Sequence, residues 1–240
     1  MRVLVTGAAG FVGKVVVEAL KLRGIIPITT DLRGQVQYIG DLCDREFVTC
    51  LPNVDCVLHL AAVQYVTPNR PLRNIESWFM RNNVSVVQNI LYRYPHAHFV
   101  YVATSMVFDQ GPGRTYGSES NIDPLGPYGR SKALAVMLAR GVKSHAIVYP
   151  SIILGRGRLG LFGPILRLLR AVRVAITAGA DGSQISVVHV TDVANVLAQI
   201  VVTKYVGELT LAAEGVSSIK EWSRLASSQL GMSWYWTWNI

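Results

Sequence analysis

Cysteine is scarce in this chain, and acidic residues are outnumbered. Only three cysteines, Cys43, Cys50 and Cys56, occur in 240 residues. Their odd number and lack of metal-ligand spacing argue against a disulfide framework and a cysteine-bound metal, and suit the reduced thiols of a cytoplasmic protein. No apolar run reaches about 18 residues, and no charged segment with a cleavage site opens the chain. Neither a membrane-spanning helix nor a signal peptide is expected, and with the first motif beginning almost at residue 1, nothing is expected to precede the fold. Internal repeats and low-complexity linkers are also absent. Fifteen Asp and Glu against 23 Lys and Arg leave a formal charge of +8. The basic residues are dispersed. Their densest group, Arg156, Arg158, Arg167, Arg170 and Arg173, reads as a solvated helix face ahead of an anion site. With no nucleic-acid motif and no aromatic-interleaved basic stretch, no nucleic-acid partner is expected.

What is present is a large apolar fraction, 50% of residues, and an opening stretch around which the rest is arranged. Val3, Leu4 and Val5 form a β-branched run typical of a buried strand. The run breaks into Thr6-Gly7-Ala8-Ala9-Gly10-Phe11-Val12-Gly13, and a helical pattern follows from about Phe11 to Arg23. Strand, glycine turn and helix together are the context of a dinucleotide-phosphate site. Gly7 permits the tight turn, Gly10 lets the backbone approach a pyrophosphate, and Gly13 allows close helix packing. The amides at the helix start supply the donors. Asp31 follows the second predicted strand (25–30) at once, 18 residues after Gly13. A carboxylate at that distance accepts from the adenosine ribose hydroxyls and repels a 2′-phosphate, which favours NAD. Arg33 keeps NADP open, because a guanidinium there is able to hold a 2′-phosphate.

Further along, the pattern predicts strands over 36–39, 54–60, 99–103, 146–150, 185–190 and 208–212. Helices are predicted over 44–51, 74–94, 128–140, 159–173, 191–201 (capped by Thr191) and 218–230, with a loop over 63–73 and a turn over 179–182. The alternation implies a Rossmann-type α/β fold, a doubly wound parallel sheet. Residues 1–150 read as an NAD(P)-binding domain, and residues 151–240 as a short substrate-binding portion interleaved with the same core. His59, inside an apolar strand, reads as a satisfied core histidine ahead of a ligand. The tail carries Trp234, Trp236 and Trp238, which suit a hydrophobic lid or partner surface and equally a terminal strand.

Tyr128 and Lys132 lie four apart at a helix start and so share one face. An ammonium beside a phenol favours the phenolate, so the tyrosine can exchange a proton with an alcohol or ketone near neutrality. Thr104, at the carboxyl end of a predicted strand, is placed to hold the reacting oxygen.

These residues together make the chain resemble the extended short-chain dehydrogenase/reductases, in particular their NAD-dependent epimerase/dehydratase branch. The matching pieces are TGAAGFVG (6–13), Asp31, GDL (40–42), HLAA (59–62), NNV (82–84), ATSMVF (103–108), PYGRSK (127–132) and VVHVTDVA (187–194). The resemblance implies that Gly7, Gly10 and Gly13 hold the pyrophosphate with the Phe11 and Val12 backbone. Asp31 would take the ribose, and Asp41 and Leu42 the adenine. Leu60, Ala61, Ala62 and Pro150 would line the cofactor path. Asn83 would support the cofactor or a water, Thr104 the reacting oxygen, Tyr128 the acid/base role and Lys132 its partner at the nicotinamide ribose. Glu119 would bound the substrate pocket. Implied too are a small-molecule substrate, no metal, and a homodimer through the helices near 74–94 and 128–140.

The chain departs from the family in one run. Many nucleotide-sugar members carry Arg-Pro-x-Asn where Tyr149-Pro150-Ser151-Ile152 stands here, and Pro-Ser-x-x-x-Gly resembles the dihydroflavonol-reductase and hydroxysteroid-dehydrogenase relatives. About 90 residues follow the sixth strand, a short lobe for this family. It suits a small substrate, a fragment, or a pocket completed by another subunit. Three readings follow: an epimerase or dehydratase on a nucleotide sugar or similar carbinol carbon, a reductase of an apolar alcohol or ketone, and a cofactor-binding regulatory protein.

Overall fold

The computed structural model describes residues 1–65, 67, 69–108, 117, 119–156, 174–178, 184–214, 217–218, 221 and 234–238, with backbone alone for 174–178, 184–185, 217–218 and 234–238. Strand β1 (Val3–Thr6) is buried along its whole length, as its apolar run requires. It pairs with β2 (Ile28–Asp31) on one side and with β4 (Cys56–His59) on the other. Helix α1 (Phe11–Lys21) buries Gly13, Val16, Ala19 and Leu20, a spacing of three to four residues that gives a helix one inward face. Gly24, at φ +75°, turns the chain back. The second strand begins later than the apolar pattern suggests, because Pro27 has no amide to give to a ladder. Beyond it β3 (Tyr38–Ile39) is only two residues long. One step earlier Gln37 and Thr29 exchange side-chain-to-backbone bonds of 3.0 and 3.1 Å in place of ladder bonds.

Helix α2 (Arg45–Cys50) is capped by Asp44, whose carboxylate accepts from the Glu46 amide. The single helix expected over 74–94 consists of α3 (Ile75–Phe79), a π-helical turn (Met80–Ser85) and α4 (Val86–Arg93). Strand β5 (His98–Val102), α5 (Gly126–Arg140) and β6 (His145–Pro150) follow. After them come β7 (Ile152–Leu154), β8 (Val174–Ala178), β9 (Gln184–Ile185), β10 (Val187–His189), α6 (Val190–Thr203), β11 (Gly207–Leu211), β12 (Ser217–Ser218) and β13 (Trp234–Trp238).

The main sheet has seven strands in the order β11-β6-β5-β4-β1-β2-β3, and every neighbouring pair is parallel. One face packs Leu4, Val57, Phe99, Tyr101 and Ile147 against α4 and α5. The other packs Val3, Val5, Leu58, Val100 and Val148 against α1 and α6. This is the doubly wound Rossmann-type sheet expected from the sequence. The winding reverses between β1 and β4, where ligands bind in open α/β sheets.

Several local expectations change. Thr191 does not cap α6. The helix starts one residue earlier, with His189 as its cap accepting from the Thr191 amide. Ser218, expected to open the last helix, lies in β12, antiparallel to β9. The Trp-rich tail forms β13, parallel to β8. The helix expected over 159–173, the turn over 179–182 and nearly all of the last helix lie outside the described residues.

Candidate cofactor and catalytic site

The glycine turn leaves β1 at the switch point, and its three glycines sit in three different surroundings. Gly7 has φ +66°, and a Cβ there would lie 2.8 Å from the Ala61 amide nitrogen. At Gly13 a Cβ would overlap Gly7 O and lie 2.7 Å from Ala8 Cα. Both positions are closed by the protein itself. At Gly10, among the described residues, a Cβ would meet only Gly7 O, at 3.0 Å. Gly10 therefore faces a cradle that a side chain would fill. It caps α1 without a side-chain bond, so the first turn of the helix presents amides and the positive end of its dipole to that cradle. These features fit a dinucleotide pyrophosphate.

Around the turn, the Asp31 carboxylate accepts from the Ala9 amide at 3.0 Å and the Leu32 amide at 2.7 Å. Asp31 thus braces the glycine turn, with acceptor capacity left over. Asp41 accepts from the Cys43 amide and lies 3.4 Å from Arg81. The Leu42 side chain is buried in the core, and its carbonyl accepts from Asn89. The Leu42 side chain is thus committed to packing. Leu60 and Ala61 both donate to Thr6 Oγ1 at 3.2 Å, and Ala62 is exposed. An open cleft of about 570 Å³ lies between the starts of α1 and α6, lined by Gly10, Phe11, Lys14, Arg156 and His189 among others. None of Thr104, Tyr128 and Lys132 lines it.

Thr6 was not singled out from the sequence, yet it is a junction. Its hydroxyl oxygen accepts from two amides, so its proton goes to His59 Nδ1, 2.9 Å away. That assignment leaves the ring proton of a neutral His59 on Nε2. Burial, and then the nearby Lys132, hold His59 down to about 3. It is a core histidine, as the apolar strand suggested, but not a fully satisfied one, because among the described residues Nε2 has no hydrogen-bond partner.

Tyr128 and Lys132 are both buried on α5. Lys132 Nζ donates to Val102 O at 2.7 Å and sits 4.3 Å from the centroid of the Tyr101 ring. Burial pulls its ammonium down to about 7. The Tyr128 ring packs on Phe79 and Tyr65, with centroids 5.5 and 5.7 Å away. Thr104 caps the short 3-10 turn Ser105–Val107 and accepts from the Met106 amide at 3.3 Å. A Cβ on Gly129 would lie 2.8 Å from Met106 O, so the backbone next to Tyr128 is seated against the turn that carries Thr104. Asn83, in the π-helical turn, accepts from the Val63 amide and donates to Val63 O and Ser131 Oγ. The Ser131 hydroxyl in turn donates to Tyr128 O. Asn83 is thus a strut between the loop after β4 and α5, with both amide hydrogens committed. Pro150 ends β6 and is buried, Glu119 is exposed, and Tyr149 donates to Glu208 at 2.7 Å. Beyond Thr6, sequence reasoning missed Tyr101 and Ser131. Ser131 carried a signal in its place beside Lys132, whereas Tyr101 looked like one more core aromatic.

A glycine cradle at the reversal of such a sheet defines a Rossmann-type nucleotide-binding protein. The NAD dependent epimerase/dehydratase family model matches residues 3–208, and the chain belongs to that family, among the extended short-chain dehydrogenase/reductases. It is 31% identical over 166 residues to a dTDP-glucose 4,6-dehydratase of Streptomyces niveus, covering 58% of this chain and 48% of that protein. A UDP-glucose 4-epimerase of Streptococcus mutans is 28% identical over 161 residues, covering 56% and 45%. The chain spans about half the length of the curated relatives it matches. Among solved structures, a dTDP-glucose 4,6-dehydratase of Streptomyces venezuelae with NAD bound superposes with TM-score 0.82 at 21% identity, over 100% of this chain and 84% of that one. A dTDP-4-dehydrorhamnose reductase of Bacillus anthracis in complex with NADP gives 0.83 at 20%, over 100% and 85%.

Proposed function

We propose that the chain is an NAD(P)-dependent enzyme that oxidises or reduces a carbinol or keto carbon, with a nucleotide sugar or sugar-like molecule as substrate. NAD is favoured because a carboxylate, Asp31, stands where the ribose would lie. The observation that carries the reading is the buried Tyr128–Lys132 pair on a helix seated against the Thr104 turn. When bound, the dinucleotide supplies hydride chemistry. The protein's own groups do the rest. The Tyr128 phenol exchanges the proton of the substrate hydroxyl, and the Thr104 hydroxyl donates to the same oxygen. The Lys132 ammonium lowers the cost of the phenolate. Phe79 and Tyr65, packed on Tyr128, keep water from its ring. The first turn of α1 receives the pyrophosphate.

A second reading, a reductase of an apolar alcohol or ketone, is favoured by one observation. Where nucleotide-sugar members place an arginine, Tyr149 stands, and its hydroxyl is bonded to Glu208, which Arg140 also holds at 2.7 and 2.9 Å. No charge from that position is directed at a diphosphate. Mass spectrometry of dinucleotide released on denaturing the purified protein separates the two. Near-stoichiometric NAD or NADH supports the redox-neutral epimerase or dehydratase, whereas an empty site that binds NAD or NADP reversibly supports the reductase. A protein that binds no dinucleotide overturns both. Tyr128→Phe is expected to keep dinucleotide affinity and to lose turnover by roughly 100-fold or more. Unchanged turnover would remove Tyr128 from the proton-transfer role.

A further inference from the structure

The charge of Lys132 is buried without an opposite charge. Among the described residues it forms no salt bridge, and its partners there are the Val102 carbonyl and the Tyr101 ring. The titratable groups around it are Tyr128 on its own helix, Tyr101 on β5, His59 on β4 and, beyond Tyr101, Tyr149 on β6. None of them is a carboxylate, and His59 is held neutral through the physiological range. An ammonium in such a place is disfavoured by desolvation, and a ring face beneath it opposes that.

Tyr101 is built to present that ring and nothing else. It is buried on β5, an interior strand of the sheet. Its ring stacks with His59 at 5.9 Å and 20° and with Phe99 at 6.1 Å and 11°, so its orientation is fixed from both neighbours. Among the described residues its hydroxyl has no hydrogen-bond partner. A buried hydroxyl that bonds nothing contributes no stability, which leaves the aromatic face as the useful part of the side chain.

We propose that Tyr101 is a positioning residue whose ring face holds the Lys132 ammonium, charged and in place, beneath Tyr128. This rests on the role given to Lys132 above, and its test is separable from that role. The protein is labelled with carbon-13 at the lysine ε position, and the Lys132 resonance, identified by its loss in Lys132→Met, is titrated with pH without substrate or dinucleotide. In the wild type the midpoint falls far below those of the exposed lysines. Tyr101→Phe is expected to leave it within a few tenths of a unit, whereas Tyr101→Leu lowers it by about one unit. Because Leu leaves a cavity, fluorinated phenylalanines at position 101 form a second series of nearly constant shape. Each added fluorine weakens the ring quadrupole, and the midpoint is expected to fall stepwise. A midpoint that ignores fluorination, or one that Tyr101→Phe shifts as far as Tyr101→Leu does, overturns the proposal. Turnover that survives Lys132→Met would instead overturn the role of Lys132, with the titration still reporting on the ring.

Discussion

Lys132 gives the molecule a pH-dependent stability of definite sign. Burial lowers its ammonium from 10.5 to about 7. Between those values the unfolded chain binds the proton that the folded chain has lost, so this group's contribution to stability rises with pH across that window and falls as pH drops through it. Thermal unfolding of Lys132→Met and wild type at several pH values tests this. The variant's advantage should be largest near pH 7 and shrink toward pH 10, and a constant difference would show that the lysine does not titrate in that window. Thr6 is the second residue whose chemistry is specific. Thr6→Val keeps the shape but deprives the Ala61 amide and His59 Nδ1 of their bonds, at a cost of about 2–4 kcal/mol, whereas Thr6→Ser keeps the hydroxyl and should cost about 1 kcal/mol or less. Urea unfolding of both variants decides the matter, and a Thr6→Val loss no larger than that of Thr6→Ser would mean that the hydroxyl contributes no more than the methyl. Neither effect was legible in the sequence. A strand-end threonine and a lysine at helix spacing show their types, but not the burial and partners that set their energies.

At the scale of elements, the glycine turn was legible because each glycine answers a steric demand that any chain must meet there. The structure separates those demands, and the separation can be tested. Gly13→Ala would drive a methyl into the Gly7 carbonyl and should destabilise the fold itself. Among the described residues Gly10→Ala meets only one oxygen, at 3.0 Å, so its unfolding temperature should stay close to wild type while dinucleotide affinity drops by about tenfold or more. Calorimetric titration with NAD beside a thermal melt makes the comparison, and undiminished affinity in Gly10→Ala would move the pyrophosphate away from this turn. The less legible elements deviate from the regular periods on which pattern reading depends. The π-helical turn adds a residue to one helical circuit and carries Asn83 at its centre, in keeping with the frequency of such turns at functional sites. A stretch read with a period of 3.6 passes over it. Pro27 shortens β2 by removing an amide, and His189 caps α6 in a place where threonine is the more familiar choice.

For the whole molecule, the doubly wound order could be read because alternating strands and helices in one chain leave few ways to wind a parallel sheet. The location of the site then follows from where the winding reverses. How the molecule associates does not follow from that order, since association depends on which helix faces remain uncovered. Two such faces carry apolar side chains. On α5, Leu134 and Met137 are three residues apart with 47% and 58% of their surface exposed, and on α4 Tyr92 is 64% exposed. Residues at that spacing share one helix face, and the family resemblance places subunit pairing on these two helices. A homodimer through α4 and α5 is therefore the expected state. Light scattering after gel filtration should give twice the chain mass for the wild type and the single mass for Leu134→Glu, because a carboxylate at the centre of an apolar contact must be desolvated twice in a symmetric pair. Lys132 and Tyr128 occupy the buried face of the same helix, so the monomeric variant should still bind NAD. A wild type that runs as a monomer, or a Leu134→Glu variant that stays dimeric, would place the contact elsewhere or remove it.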